Sequence, residues 1–181
     1  VGAVAFAWQA KVARSQREQL SEGSRKFLRY SYGDLLPKVK DWKVVFRIWQ
    51  ERDHAIRWWG PEKFTTTELE MDFRPGGKWN ATMVSREWKI SKMGGEYREI
   101  VKNEKIVFTF AWTHESGPDM DTVVTVTFAE KNGKTIQTFH QTPFETVKER
   151  DNHLGGWNSF INDEQIYAEN LAYGIKLGLQ I

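Results

Sequence analysis

The sequence predicts an α+β fold in which a curved antiparallel sheet of about six or seven strands wraps around a long C-terminal helix. Three observations lead there. Apolar residues recur at helical spacing around residue 45 and again from Trp157 onward, while the stretch between them alternates with a period of two. The links between the alternating runs are turn-rich and too short for parallel crossovers.

Taken in order, residues 4–21 are rich in Ala, Gln, Arg and Glu and predict an extra N-terminal helix that Gly23 stops. Residues 1–24 are therefore read as an extension, and 25–181 as the domain. Arg25–Tyr32 alternates apolar and basic residues and reads as the first strand, followed by a Gly33-Asp34 turn. Between Lys40 and Trp49, the residues Trp42, Val45, Phe46 and Trp49 share one helical face. A second short helix holds Ala55, Ile56 and Trp59, and Gly60-Pro61 ends it. The two helices are expected to close one end of the wrap.

In Phe64–Phe73 the apolar Leu69, Met71 and Phe73 alternate with acids, as in a half-buried strand. Pro75-Gly76-Gly77 turns the chain, and Trp79, Ala81 and Met83 return it. Further strands are expected at Trp88–Met93, Glu96–Val101, Ile106–Trp112, Thr122–Phe128 and Thr135–Gln141, with Gly94-Gly95, Gly117-Pro118 and Asn132-Gly133 as turns. After Pro143 the period becomes helical, and Trp157, Ile161, Ala168, Leu171 and Ile175 form one stripe.

Composition narrows the function classes. At 181 residues the chain fits one domain that needs no staple, and it has no Cys, hence no thiol nucleophile or Cys–zinc site. The first 50 residues hold ten Lys/Arg against four acids, and the rest hold 16 against 20. That basic end reads as a solvated helix face, and no basic patch interleaved with aromatics points to nucleic acid. The apolar start, Val1–Trp8, is too short to span a membrane, so no membrane insertion and a cytoplasmic location are expected.

Catalytic signatures are sparse. His54, His114, His140 and His153 show no i, i+4 metal pairing, no Gly-rich loop opens a helix, and no Ser sits in a nucleophile elbow. Asp72, Glu96 and Glu99 read as solvated or salt-bridged strand carboxylates. No metal and no cofactor are implied. The aromatics carry more information. Nine Trp stand out in a chain of this length, and large rings distributed over almost every strand and the last helix pack with gaps. The expected cavity wall comprises Trp59, Trp79, Met83, Phe110, Trp112, Phe128, His140, Trp157, Phe160 and Ile161, with Thr138, Tyr97 and Glu96 as further polar handles.

Two elements then support a family resemblance: Trp58-Trp59-Gly60-Pro61, and Asp72-Phe73-Arg74-Pro75-Gly76-Gly77-Lys78-Trp79. In order and at this separation they resemble the AHSA (activator of heat-shock ATPase homologue) branch of the SRPBCC, or START-like, superfamily. Gly95-Glu96-Tyr97, Ile106-Val107-Phe108-Thr109-Phe110 and Gly155-Gly156-Trp157, read as opening the last helix, extend the match over roughly residues 25–165. The resemblance implies a helix-grip fold with a cavity between sheet and helix. It also implies structural roles for Trp58, Gly60, Pro61, Asp72, Arg74, Gly76 and Gly77, with Trp59 plugging the cavity mouth. The chain departs from the pattern in its N-terminal extension, its helix running on to Ile181, and Lys102-Asn103-Glu104 where a Pro-Pro-Glu-like turn is usual.

Relatives of this kind bind hydrophobic ligands, cyclise polyketides, or stimulate the ATPase of the ninety-kilodalton heat-shock chaperone. The leading expectation is a protein that binds a small hydrophobic or aromatic molecule, as a monomer or homodimer. The alternatives are a protein-interaction module with a chaperone partner and, more weakly, a cyclase or hydrolase with His140 or Glu96 as base.

Overall fold

The computed structural model describes residues 28–36, 42–114, 117–118 and 121–177. The expected helix over 4–21, the start of the first strand and Leu179 lie outside the described residues. The elements run β1 (Leu28–Leu36), α1 (Trp42–Gln50), α2 (Arg52–Ala55), β2 (Phe64–Met71), β3 (Lys78–Ser85), β4 (Ile90–Val101), β5 (Lys105–His114), β6 (Gly117–Pro118), β7 (Thr122–Lys131), β8 (Lys134–Thr142) and α3 (Val147–Lys176). Seven strands follow one another in the order β1-β8-β7-β5-β4-β3-β2, every pairing antiparallel, with the two-residue β6 added beside β5. The sheet curls around α3 as a helix grip, and α1 and α2 pack into its open side.

Local chemistry accounts for the turns. The β7–β8 link is Asn132-Gly133 with both φ values positive (56° and 70°), the two-residue hairpin turn whose twist matches its strands. Asn103 at φ 64° makes the corresponding bend in Lys102-Asn103-Glu104. The Asp72–Lys78 segment is tied down three ways. Arg74 Nη2 reaches Asp72 Oδ2 at 2.7 Å, Gly76 donates its N–H to Tyr97 O, and Tyr97 returns one to Gly77 O. A Cβ on Gly77 would stand 1.9 Å from Asp72 O, so no other residue fits there.

Three expectations are corrected. Gly94-Gly95 is not a turn, because β4 runs unbroken through it, Gly95 pairing with Trp79 and Gly94 with Asn80 and Ala111. A Cβ on Gly95 would lie 1.8 Å from Thr109 O and 2.8 Å from Trp79 Nε1. The glycine is there so that the Trp79 indole can cross the strand and donate to Thr109 O at 3.1 Å. Trp88 is not a strand residue; it sits in the β3–β4 turn at φ 62° and is 84% exposed. Gly155-Gly156 does not open the last helix, which starts two turns earlier at Val147, where Thr146 caps it by accepting from Glu149 N.

The buried face of α3 is Trp157, Phe160, Ile161, Glu164, Ala168, Leu171 and Gly174. Ile175 falls off the expected stripe and is 43% exposed. The interior is a network of rings. Trp59 lies at its centre, with centroids 5.8 Å from Trp49, 5.4 Å from Trp58, 5.4 Å from Trp79 and 5.8 Å from Phe160, mostly edge to face.

Candidate functional site

The residues expected to line a single large cavity separate into three groups. Trp59, Trp79, Met83, Phe128 and Ile161 are packed into the core, each no more than 5% exposed. Phe110, Trp112, Trp157 and Phe160 do line a cavity, of about 120 Å³, shared with Pro61, Asn152, His153 and Gly156. His140 does not reach it. On β8 the buried residues are Thr135, Gln137, Phe139 and Gln141, which puts His140 and Thr138 on the other face of the sheet. Glu96 binds Arg98 at 2.7 Å, and Tyr97 is buried, which raises its phenol above the ordinary range. Trp59 is a core hub rather than a plug at the mouth.

The cavity sits where β5 ends against the first half of α3, with the Gly60-Pro61 bend on its rim. β5 contributes Phe110 and Trp112, two residues apart on one face, and α3 contributes His153, Gly156, Trp157 and Phe160 at helical spacing. The position of Gly156 has no heavy atom within 4 Å of an added Cβ, so the helix offers open space just where a side chain would have filled the gap.

Behind the rings lies a polar circuit that sequence patterns did not reveal. Trp112 Nε1 donates to His153 Nε2 at 3.2 Å, and His153 Nδ1 lies 3.2 Å from Gln141 Oε1. An indole N–H can only donate, so Nε2 is the acceptor and the imidazole proton sits on Nδ1, pointing at Gln141. Trp157 Nε1 donates to the same Gln141 oxygen at 2.7 Å, which fixes the amide orientation. Gln141 Nε2 then donates to Thr122 Oγ1 at 2.7 Å, and Thr122 donates to Phe110 O at 2.9 Å. Gln141 is fully buried, and every polar group of the circuit has a partner. The signal available in the sequence was parity alone: Gln137 and Gln141 flank Phe139 at two-residue steps.

A second buried polar group lies deeper. Glu164 on α3 accepts from Trp49 Nε1 at 2.7 Å and from Gln137 Nε2 at 2.9 Å, and burial pushes its carboxyl up to about 7. Among the described residues no cluster of three His, Asp or Glu is placed to hold a metal ion, and no helix is long and apolar enough to cross a membrane.

The family model described as "Activator of Hsp90 ATPase homolog 1-like protein" matches residues 42–168, from the start of α1 to within the last helix. The chain belongs to this AHSA1-like family. Solved structures agree on the fold of the AHSA1-like domain. A protein from Chromobacterium violaceum is 22% identical over 80% of this chain and 98% of its own, with a TM-score of 0.66. The AHSA1 protein from Silicibacter pomeroyi is 19% identical over 84% and 99%, at 0.67. The AHSA1-like protein from Aeromonas hydrophila is 16% identical over 80% and 93%, at 0.65. No curated protein matches the chain. Within the AHSA1-like domain, the Trp58–Pro61 element serves the architecture. The Trp58 indole donates to Ile48 O at 3.2 Å, Gly60 adopts φ 132°, and Thr66 donates its hydroxyl to Trp59 O.

Proposed function

We propose that this AHSA1-like protein binds a small apolar molecule, about the size of one aromatic ring, in the cavity between β5 and α3. The observation that carries this reading is the cavity of about 120 Å³ walled by Phe110, Trp112, Trp157 and Phe160. An apolar cavity of about 150 Å³ in another protein takes up benzene, so a space of this size suits one ring. Binding is expected to quench Trp fluorescence and raise the melting temperature, by about 2.7 kcal/mol of stability at a ligand concentration 100 times Kd. Toluene and phenol are the first probes. Gly156→Leu fills the void and removes the effect. Unchanged melting and emission across a panel of one-ring compounds would sink the reading.

A second reading, a protein-interaction module such as a chaperone-ATPase regulator, is favoured by Ile166 and Tyr173 on the second half of α3 and Leu177 at its C-terminal cap, which are 53%, 64% and 59% exposed. Its test is the turnover of the ninety-kilodalton chaperone's ATPase with saturating protein; an unchanged rate removes it.

A further inference from the structure

Further along α3 lies a wider cleft, about 340 Å³, between the helix and the segment that joins α2 to β2. That volume falls within the range of small-molecule sites, roughly 300–1,000 Å³. Its two walls have opposite hydrogen-bonding character.

The α3 wall accepts. Asp163 and Tyr167 are four residues apart and share one face of the helix. The proton of Tyr167 is already committed: Glu51 Oε2 lies 3.3 Å from His54 Nε2, and His54 Nδ1 lies 2.7 Å from Tyr167 Oη. With the Nε2 proton facing the carboxylate, Nδ1 takes the phenol hydrogen, and the oxygen keeps its lone pairs for another donor. Burial and the nearby Glu62 raise the Asp163 carboxyl, so a cation beside it would be welcome.

The opposite wall donates. Arg57 is exposed and makes no ion pair among the described residues. Between the two walls, Ile56, Phe64 and Ile166 add apolar surface.

We propose that this cleft binds a zwitterion with an apolar side chain, the class of the free apolar α-amino acids. The ammonium lies on Asp163 and Tyr167, the carboxylate lies on Arg57, and the side chain lies on the apolar surface. This site is separate from the ring-sized cavity. Isothermal titration calorimetry with L-phenylalanine, 3-phenylpropionate and 2-phenylethylamine tests it on the full chain. Saturable binding of L-phenylalanine is expected, with each analogue weaker by at least about tenfold, or 1.4 kcal/mol. Glycine, which lacks the side chain, should also bind more weakly. Arg57→Gln should weaken phenylalanine about tenfold and leave 2-phenylethylamine unchanged, and Asp163→Asn should do the reverse for 3-phenylpropionate, with melting curves confirming that both variants fold. Gly156→Leu should leave this titration as it is. The proposal is overturned by no saturable heat with phenylalanine, by equal affinity for phenylalanine and either analogue, or by a folded charge variant that binds phenylalanine normally.

Discussion

Gly95 shows how one absent methyl group can set the path of a strand. The Trp79 ring passes over it to reach Thr109 O, and an added Cβ would sit inside van der Waals contact with backbone that cannot move aside. Gly95→Ala is therefore expected to destabilise the protein by about 3 kcal/mol, read from the denaturant midpoint. Glu164 makes a different demand on its surroundings. Its folded pKa of about 7 lies above the ordinary carboxyl value, so the folded state binds this proton more tightly than the unfolded chain does. Stability from this group is therefore highest at low pH and falls as pH rises from about 4.5 to about 7, with no further change above. Gln137 Oε1, buried without a partner, is the acceptor that a protonated Glu164 would use after a flip of the amide. Glu164→Gln mimics that state and should flatten the slope in this window, measured by urea unfolding at a series of pH values; an unchanged slope refutes the assignment.

At the scale of elements, α3 is legible in the sequence except at its ends. Trp157, Ile161, Ala168 and Leu171 repeat at helical spacing and are buried, whereas Ile175, at the same spacing, is 43% exposed. The strands were legible wherever apolar and polar residues alternate. Gly94-Gly95 misled because a glycine pair carries the same letters whether it turns the chain or makes room for a neighbouring ring. His140 misled in another way. Phe139 and His140 are adjacent in a strand and point to opposite faces, so once Phe139 is inside, the polar groups inside must be Gln137 and Gln141. Long-range pairings such as Trp112 with His153 leave no local pattern, which is why the cavity's polar backing was missed. One property of the helix is open to direct check. Gly155 is exposed, lies within α3, and would meet nothing within 4 Å if given a Cβ. Gly155→Ala should stabilise the protein by about 0.5–1 kcal/mol in thermal unfolding.

For the whole molecule, the Trp count acquires a structural meaning. Six of the nine (Trp49, Trp58, Trp59, Trp79, Trp112 and Trp157) belong to one connected set of ring contacts that also takes in Phe108, Phe110, Phe128 and Phe160. A network that joins α1, the segment after α2, the sheet and α3 cannot be loosened in one part alone. The near-ultraviolet circular dichroism of these rings should vanish at the same denaturant concentration as the far-ultraviolet signal of the backbone. Separate midpoints would show that the packing fails before the secondary structure does.

The hydrogen-bond circuit behind the cavity begins at Trp112 and ends at the carbonyl of Phe110, so it leaves β5 and comes back to it after passing through α3, β8 and β7. A closed circuit of this kind works like a combination lock on strand alignment. If β7 slid along β5 by one pleat, Thr122 would leave the Phe110 carbonyl, Gln141 would lose its anchor, and the histidine between them would be left without its amide. Registry errors that preserve the inside-outside pattern, and so escape correction by burial, are the ones this lock detects.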